Sequence, residues 1–131
     1  METSSTVVIP RWQRILGFVL SALATVPFLP SALMKLSQPA GFLDGWTKNY
    51  PAGAAQPLGM IELACAVLYW VPATRVLGAI LLTGYLGGAI ATHVHMADGH
   101  WPLPLTIGVL AWAGLAGVEP RLRALLPLRK A

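Results

Sequence analysis

The stretch Leu58–Trp70 reads LGMIELACAVLYW, and its one charged side chain is Glu62. A carboxylate costs little in water and a great deal in apolar surroundings. What surrounds this run therefore decides the fold. The chain has 131 residues, of which 56% are hydrophobic and only 11% charged. A soluble domain carries about 25% charged residues. A soluble chain this short could not hide so much apolar side chain in one core.

The apolar residues also come in blocks. They run over Ile15–Leu36, Ala54–Val71, Val76–Val94 and Pro102–Val118. Each is close to the roughly 17–25 residues that a helix needs to cross a bilayer. Long apolar runs without alternation point to helices, which satisfy their own backbone in lipid. The expectation is an all-α integral membrane four-helix bundle forming one domain, residues 1–131, with helices at about 15–36, 54–71, 76–94 and 102–118. A buried soluble helix is the alternative for any single block, but not for four together. Arg11 and Arg14 before the first block also fit a secretory signal peptide. Against that reading, the block is long for a signal and Lys35 suits a helix end better than a cleavage site.

Charge gives the orientation. With both termini cytoplasmic, Arg11, Arg14, Arg75, Arg121, Arg123, Arg129 and Lys130 lie inside, and Lys35 and Lys48 outside. That split follows the positive-inside rule. Trp12 and Trp70 then fall near the inner interface, Trp46 and Trp101 near the outer one. The net charge of +4 reflects this insertion bias and the lipid headgroups. No nucleic-acid partner is expected, because the basic residues are split among separate ends.

The connections fit helical hairpins. Pro72–Arg75 is one short turn, and Ala97–Pro102 is another, with Asp98-Gly99 as turn residues. Ser37–Gln56 is longer and carries Phe42, Leu43, Trp46 and Tyr50. It reads either as a partial amphipathic segment along the interface or as a disordered loop. Pro27 and Pro30 should kink the first helix, for packing or as the edge of a cavity. Gly84 and Gly88, with Thr92, make a small-residue row that suits a close helix contact within the chain.

Several short motifs recur in a known order: SALMKL at Ser31–Leu36, Tyr50-Pro51, LGMIELACAVLYWVP at Leu58–Pro72, LGAILLTGYLGGAIATHVH at Leu77–His95 and PRLRALLP at Pro120–Pro127. Together they resemble the DoxX-like family of small four-helix bacterial membrane proteins. The resemblance implies a multi-pass protein of the bacterial inner membrane. It matches Ser31, Lys35, Glu62 and His93 to the family's polar positions. It departs at Ala32, where the family often has Gly, and at His95, where it often has a basic residue. The resemblance also implies a redox- or quinone-associated membrane component, so quinone is the cofactor it suggests. The other class it implies is a non-enzymatic assembly or scaffold subunit. A membrane or redox partner protein and a homo-oligomer both fit.

The residues exclude some chemistry. Cys65 has no partner thiol, so dithiol exchange is ruled out and a packing role is expected. There is no glycine-rich fingerprint or P-loop for a nucleotide. His93 and His95 sit about 200° apart on a helix. No metal site is expected from these histidines, because no full ligand set with suitable spacing stands out.

Glu62 lies about two turns below the outer face of its helix. Lys35 ends one neighbouring helix at that face, and His93 nears the end of another. Three helices thus bring ionisable groups to one level. Glu62, Ala66 and Tyr69 share one stripe of their helix. The candidate cluster is Lys35, Glu62 and His93, with Ser31 and Tyr69 beside it. Intramembrane charges pair, face the interior and mark sites or pathways. Structural glue and a ligand or proton site both fit. The expectation is that Lys35 is the cation of Glu62, and that Glu62 is charged or shares a proton with His93.

The charge split predicts opposite labelling of single cysteines at Ser4 and Thr47, in a Cys65→Ser background, by an impermeant maleimide. Labelling of both from outside the cell would overturn the topology.

Overall fold

The computed structural model describes residues 8–125. Ser4, Arg129 and Lys130 lie outside that range, so the part of the charge split that rests on them is left as a sequence expectation. All regular structure among the described residues is helical. The elements are α1 (Arg11–Thr25), α2 (Phe28–Ser37), α3 (Phe42–Trp46), a 3₁₀ turn (Ala52–Ala54), α4 (Ala55–Trp70), α5 (Arg75–Met96), α6 (Pro102–Val118) and α7 (Pro120–Leu125). Three spans are long and apolar enough to cross a membrane: Arg11–Ser37, Ala52–Trp70 and Arg75–Met96. Helix α6 is apolar and shorter, at 17 residues.

The apolar blocks and the helices agree closely, apart from one break. The first block forms a single rod interrupted at Val26–Pro27, between α1 and α2. Pro27 has no N–H to donate, and its ring crowds the preceding turn. Thr25 Oγ1 donates 2.8 Å back to the Ser21 carbonyl, a bond that helps bend a helix. The break changes the neighbour of the rod. Helix α1 packs on α6, whereas α2 packs on α4. Helices α4 and α5 form a hairpin, and α5 closes on α6.

Side chains facing outward are strongly apolar. Ile15, Val19, Leu23, Leu29 and Leu33 of the first rod are all exposed. Inside, the fully buried side chains are small or few: Tyr69, Leu82, Leu115 and Ser21 are the largest. A chain that exposes its large apolar residues and buries its small ones packs by close backbone approach, as membrane helices do.

That approach is at its tightest between α1 and α6. A Cβ on Gly117 would stand 2.6 Å from Gly17 Cα, and one on Gly17 would stand 2.8 Å from the Gly114 carbonyl oxygen. The α4–α5 hairpin closes likewise, with Gly78 directly against the backbone of Tyr69. The Gly84–Gly88 row makes no such contact. Beyond their own stretch of helix, neither glycine has an atom within 4 Å of the place a Cβ would occupy. The expected close contact is therefore displaced to Gly17, Gly114 and Gly117. The reason is that α5 turns its Gly84–Gly88 face toward open space.

A buried hydrogen-bond lock joins three helices near this contact. Tyr69 OH donates 2.7 Å to the Ala111 carbonyl, and Ser21 Oγ lies 2.8 Å from the same phenol oxygen. The Trp70 indole donates 2.9 Å to Thr25 Oγ1 on the first rod. The chain ends of the described range meet here too, where Arg123 donates to Gln13 and to the Ala116 carbonyl. Arg11, Arg14, Arg75, Arg121 and Arg123 belong to this terminal end, and Lys35 and Lys48 to the opposite, loop end.

Gly117→Leu should cost about 1–3 kcal/mol or more, because overpacked backbone must separate. Gly88→Leu should melt in detergent at or slightly above the wild-type temperature, since it meets no neighbour and removes a helix-interior glycine. Equal losses for the two variants would contradict this packing.

Candidate functional site

Above the break at Pro27, the rods do not close on one another. A cavity of about 700 Å³ lies between α2, α4, α5 and α6 at the loop end. Its walls include Phe28, Leu58, Ile61, Leu86, Leu103 and Ile107. The same cavity receives Ser31, Lys35, Glu62 and His93 from three helices. The break that sequence reading left between packing and a cavity edge thus serves both, since Pro27 lines this cavity.

Glu62 sits where α4 faces α2, with 4% of its side chain exposed. Lys35 Nζ donates to Glu62 Oε2 at 2.7 Å. Lys35 also donates to Ser31 Oγ, one turn earlier on α2. Gly59 makes this pairing possible. A Cβ there would lie 2.9 Å from Lys35 Cβ, so any larger residue would push α2 and its lysine away. The Tyr85 side chain approaches the Glu62 carboxylate from α5 and stacks obliquely on Phe28, with ring centroids 6.0 Å apart. The Lys35 ammonium thus gives the Glu62 carboxyl a hydrogen bond that water would otherwise supply.

The expected link from His93 to Glu62 is not formed. His93 Nδ1 lies 2.7 Å from Asp98 Oδ2, five residues further on. The cause is local. Helix α5 ends with Ala97 in the left-handed region, at φ 52°, and Gly99 follows at φ 75°. Those two residues fold the chain back, so that Asp98 reaches the imidazole before any residue of α4 can. Asp98 also accepts 2.8 Å from the His100 backbone N–H. That N–H, and then the His93 ring, hold the Asp98 carboxyl below the usual range.

Tyr69 shares the buried stripe with Glu62, as expected, but its hydroxyl turns to Ser21 and Ala111. It does not line the cavity. A shared stripe is a statement about helix azimuth, and the two residues are two turns apart along the axis. Cys65 is buried in the apolar core beside Ala66 and Tyr69.

Other cavity residues went unrecognised in the sequence. In the long connection, α3 is ordered by an aromatic column. Phe42 stacks on Trp46 at 5.5 Å between centroids, and Trp46 on Tyr50 at 4.4 Å. The Trp46 indole donates 2.9 Å to the Pro51 carbonyl, which fixes the column, and Trp46 and Tyr50 border the cavity. The four-residue spacing of Phe42, Trp46 and Tyr50 was the available signal, because it places three rings on one face of a helical turn. For Asp98 the signal was its position between two histidines in a turn.

Lys35→Met should cost more stability than Lys35→Met combined with Glu62→Gln. The single change strands a buried carboxylate, at a loss of about 3–5 kcal/mol, which the double change removes. Thermal melting in detergent reads the cycle, and additive losses would mean that the pair carries no coupling energy.

A model of the DoxX-like family matches residues 19–114. No curated protein and no solved structure matches the chain. The matched segment runs from α1 through most of α6 and contains Ser31, Lys35, Glu62 and His93. With apolar spans on either side of its polar cavity, the chain belongs to the DoxX-like family of small membrane proteins.

Proposed function

We propose that the protein is a four-helix, multi-pass component of the bacterial inner membrane with both termini cytoplasmic. In this reading it serves a redox- or quinone-associated system by binding a small amphiphilic molecule in the loop-end cavity. The observation that carries the proposal is one cavity with apolar walls and a buried Lys35–Glu62 pair in it. A few convergent polar groups in a largely apolar pocket are the usual make-up of a small-molecule site, and its volume falls in the usual range of about 300–1,000 Å³.

A quinone head suits this arrangement chemically. Its ring is apolar and its two carbonyls accept hydrogen bonds. The Lys35 ammonium has one hydrogen to share beyond Ser31 and Glu62, and the Tyr85 hydroxyl is a second donor once it turns from Glu62. Trp46 and Tyr50 offer flat faces for a ring. A quinone takes up protons when it is reduced. Glu62 is the group placed to exchange them, and His93 with Asp98 is a titratable pair at the rim. A redox enzyme is the partner this chemistry calls for, as the source of the electrons. A second copy of the chain is a further partner this reading allows.

The second reading is an assembly or scaffold subunit, and one observation favours it. Lys35 is already paired with both Glu62 and Ser31, so the cluster holds α2 against α4 with no ligand required.

Native mass spectrometry from lipid particles separates the two. The quinone reading expects a bound small molecule that is lost in Glu62→Gln and in Gly88→Leu, whose side chain would enter the cavity. Loss in Gly88→Leu with wild-type melting supports binding, and Glu62→Gln is read only where the variant stays folded. A chain that carries no small molecule and co-purifies with another membrane protein supports the scaffold and sinks the quinone reading.

A further inference from the structure

The loop that deprives Glu62 of its histidine builds a second constellation. His93, Asp98 and His100 present one ligand atom each, and these atoms all lie within 4.8 Å of one another. Asp98 stands between the rings. Its Oδ2 is 2.7 Å from His93 Nδ1, and its Oδ1 is 3.4 Å from His100 Nδ1. The two rings meet edge to face, with centroids 6.0 Å apart.

We propose that His93, Asp98 and His100 form a binding site for a first-row divalent transition ion of the zinc class at the rim of the cavity. The donor set chooses the ion. Two imidazoles and one carboxylate are ligands for zinc and its neighbours, whereas calcium and magnesium take oxygen donors and softer ions take thiolates. The distances come close to what the ion requires. Bonds of about 2.0–2.2 Å put two tetrahedral ligand atoms about 3.4 Å apart, so the widest pair has to close by at most about 1.4 Å, while His93 Nδ1 and Asp98 Oδ2, now at 2.7 Å, open to admit the ion. His100 can make that movement, because it stands on the turn with 71% of its side chain exposed. The carboxylate is already oriented by the His100 backbone N–H, which fixes Asp98 between the rings. Such outer bonds hold ligands in place for a metal.

The positions of the ligands have a chemical consequence. Three protein ligands leave at least one coordination position for water or another molecule, the arrangement of sites that act on what they bind. His93 also borders the main cavity, so the ion would stand beside whatever enters it. His95 belongs to the same helix turn and takes no part: it is exposed and outside the cluster.

The site stands or falls independently of the quinone reading, because its test uses the metal alone. Full-length protein with any affinity tag removed is placed in lipid nanodiscs and titrated with Zn²⁺ by calorimetry. It is titrated with Co²⁺ by visible absorption, where four-coordinate Co²⁺ gives strong d–d bands. The expected result is one ion per chain. His100→Ala and Asp98→Asn should each weaken it by at least about tenfold and remove the Co²⁺ bands, since even losing an outer-shell partner costs that much. His95→Ala should change neither. His100 is exposed on a turn, so its variant keeps the fold and the comparison does not depend on the others folding. No binding to the wild-type chain would overturn the proposal. So would one ion that survives His100→Ala, or one that is lost in His95→Ala.

Discussion

A nearly buried carboxylate in an apolar helix needs a cation, and the upper half of this molecule is arranged around that need. Glu62 has Lys35 at 2.7 Å. Taking either partner away leaves the other charged with nothing to replace water. The pairing can form only if α2 lies close to α4, which Gly59 permits by offering no Cβ to the lysine stem. Helix α2 in turn can lie there only because the first rod breaks after Thr25 and redirects the chain from α6 to α4. The ion pair, the glycine and the proline break are thus one device.

The same device divides the molecule into a closed end and an open end. Toward the termini, Gly17, Gly114 and Gly117 bring two backbones into contact, and Tyr69 bridges Ser21 and Ala111 one turn above them. Small residues at the contact and a satisfied polar lock give that end little freedom. Toward the loops, α5 presents Gly84 and Gly88 to empty space, and the cavity occupies it. Identical residue types therefore do opposite things. Gly17, Gly114 and Gly117 close a seam, and Gly78 does so at the start of α5, while Gly84 and Gly88 further along α5 leave the cavity open.

The polar residues of the open end form two groups. Ser31, Lys35 and Glu62 lie among the helices, within the apolar walls. His93, Asp98 and His100 gather where α5 ends, at the rim. Both groups border or adjoin one cavity, yet they are bonded separately. A buried pair suited to hydrogen bonding and a rim cluster suited to a metal give the cavity two kinds of chemistry within a short distance.

Composition and block length determined the four apolar helical stretches, and within a few residues their limits, because hydropathy and rise per residue are local and additive; the short α3 and α7 carry no such signal. They also determined that Glu62 needed Lys35, since a charge in apolar surroundings leaves few choices and only one lysine ended a neighbouring helix at that level. The remaining choices belonged to the tertiary structure. His93 met Asp98 in place of Glu62 because Ala97 and Gly99 adopt positive φ and return the chain at once. Tyr69 left the cluster because it sits two turns along the axis, beside Ser21 and Ala111. The close glycine contact falls between α1 and α6, because the Gly84–Gly88 face of α5 borders the cavity and not a neighbouring helix. A sequence states which residues share a helix face. Which face meets which depends on breaks and turns that rotate whole helices, and those are settled only when all the rods pack together.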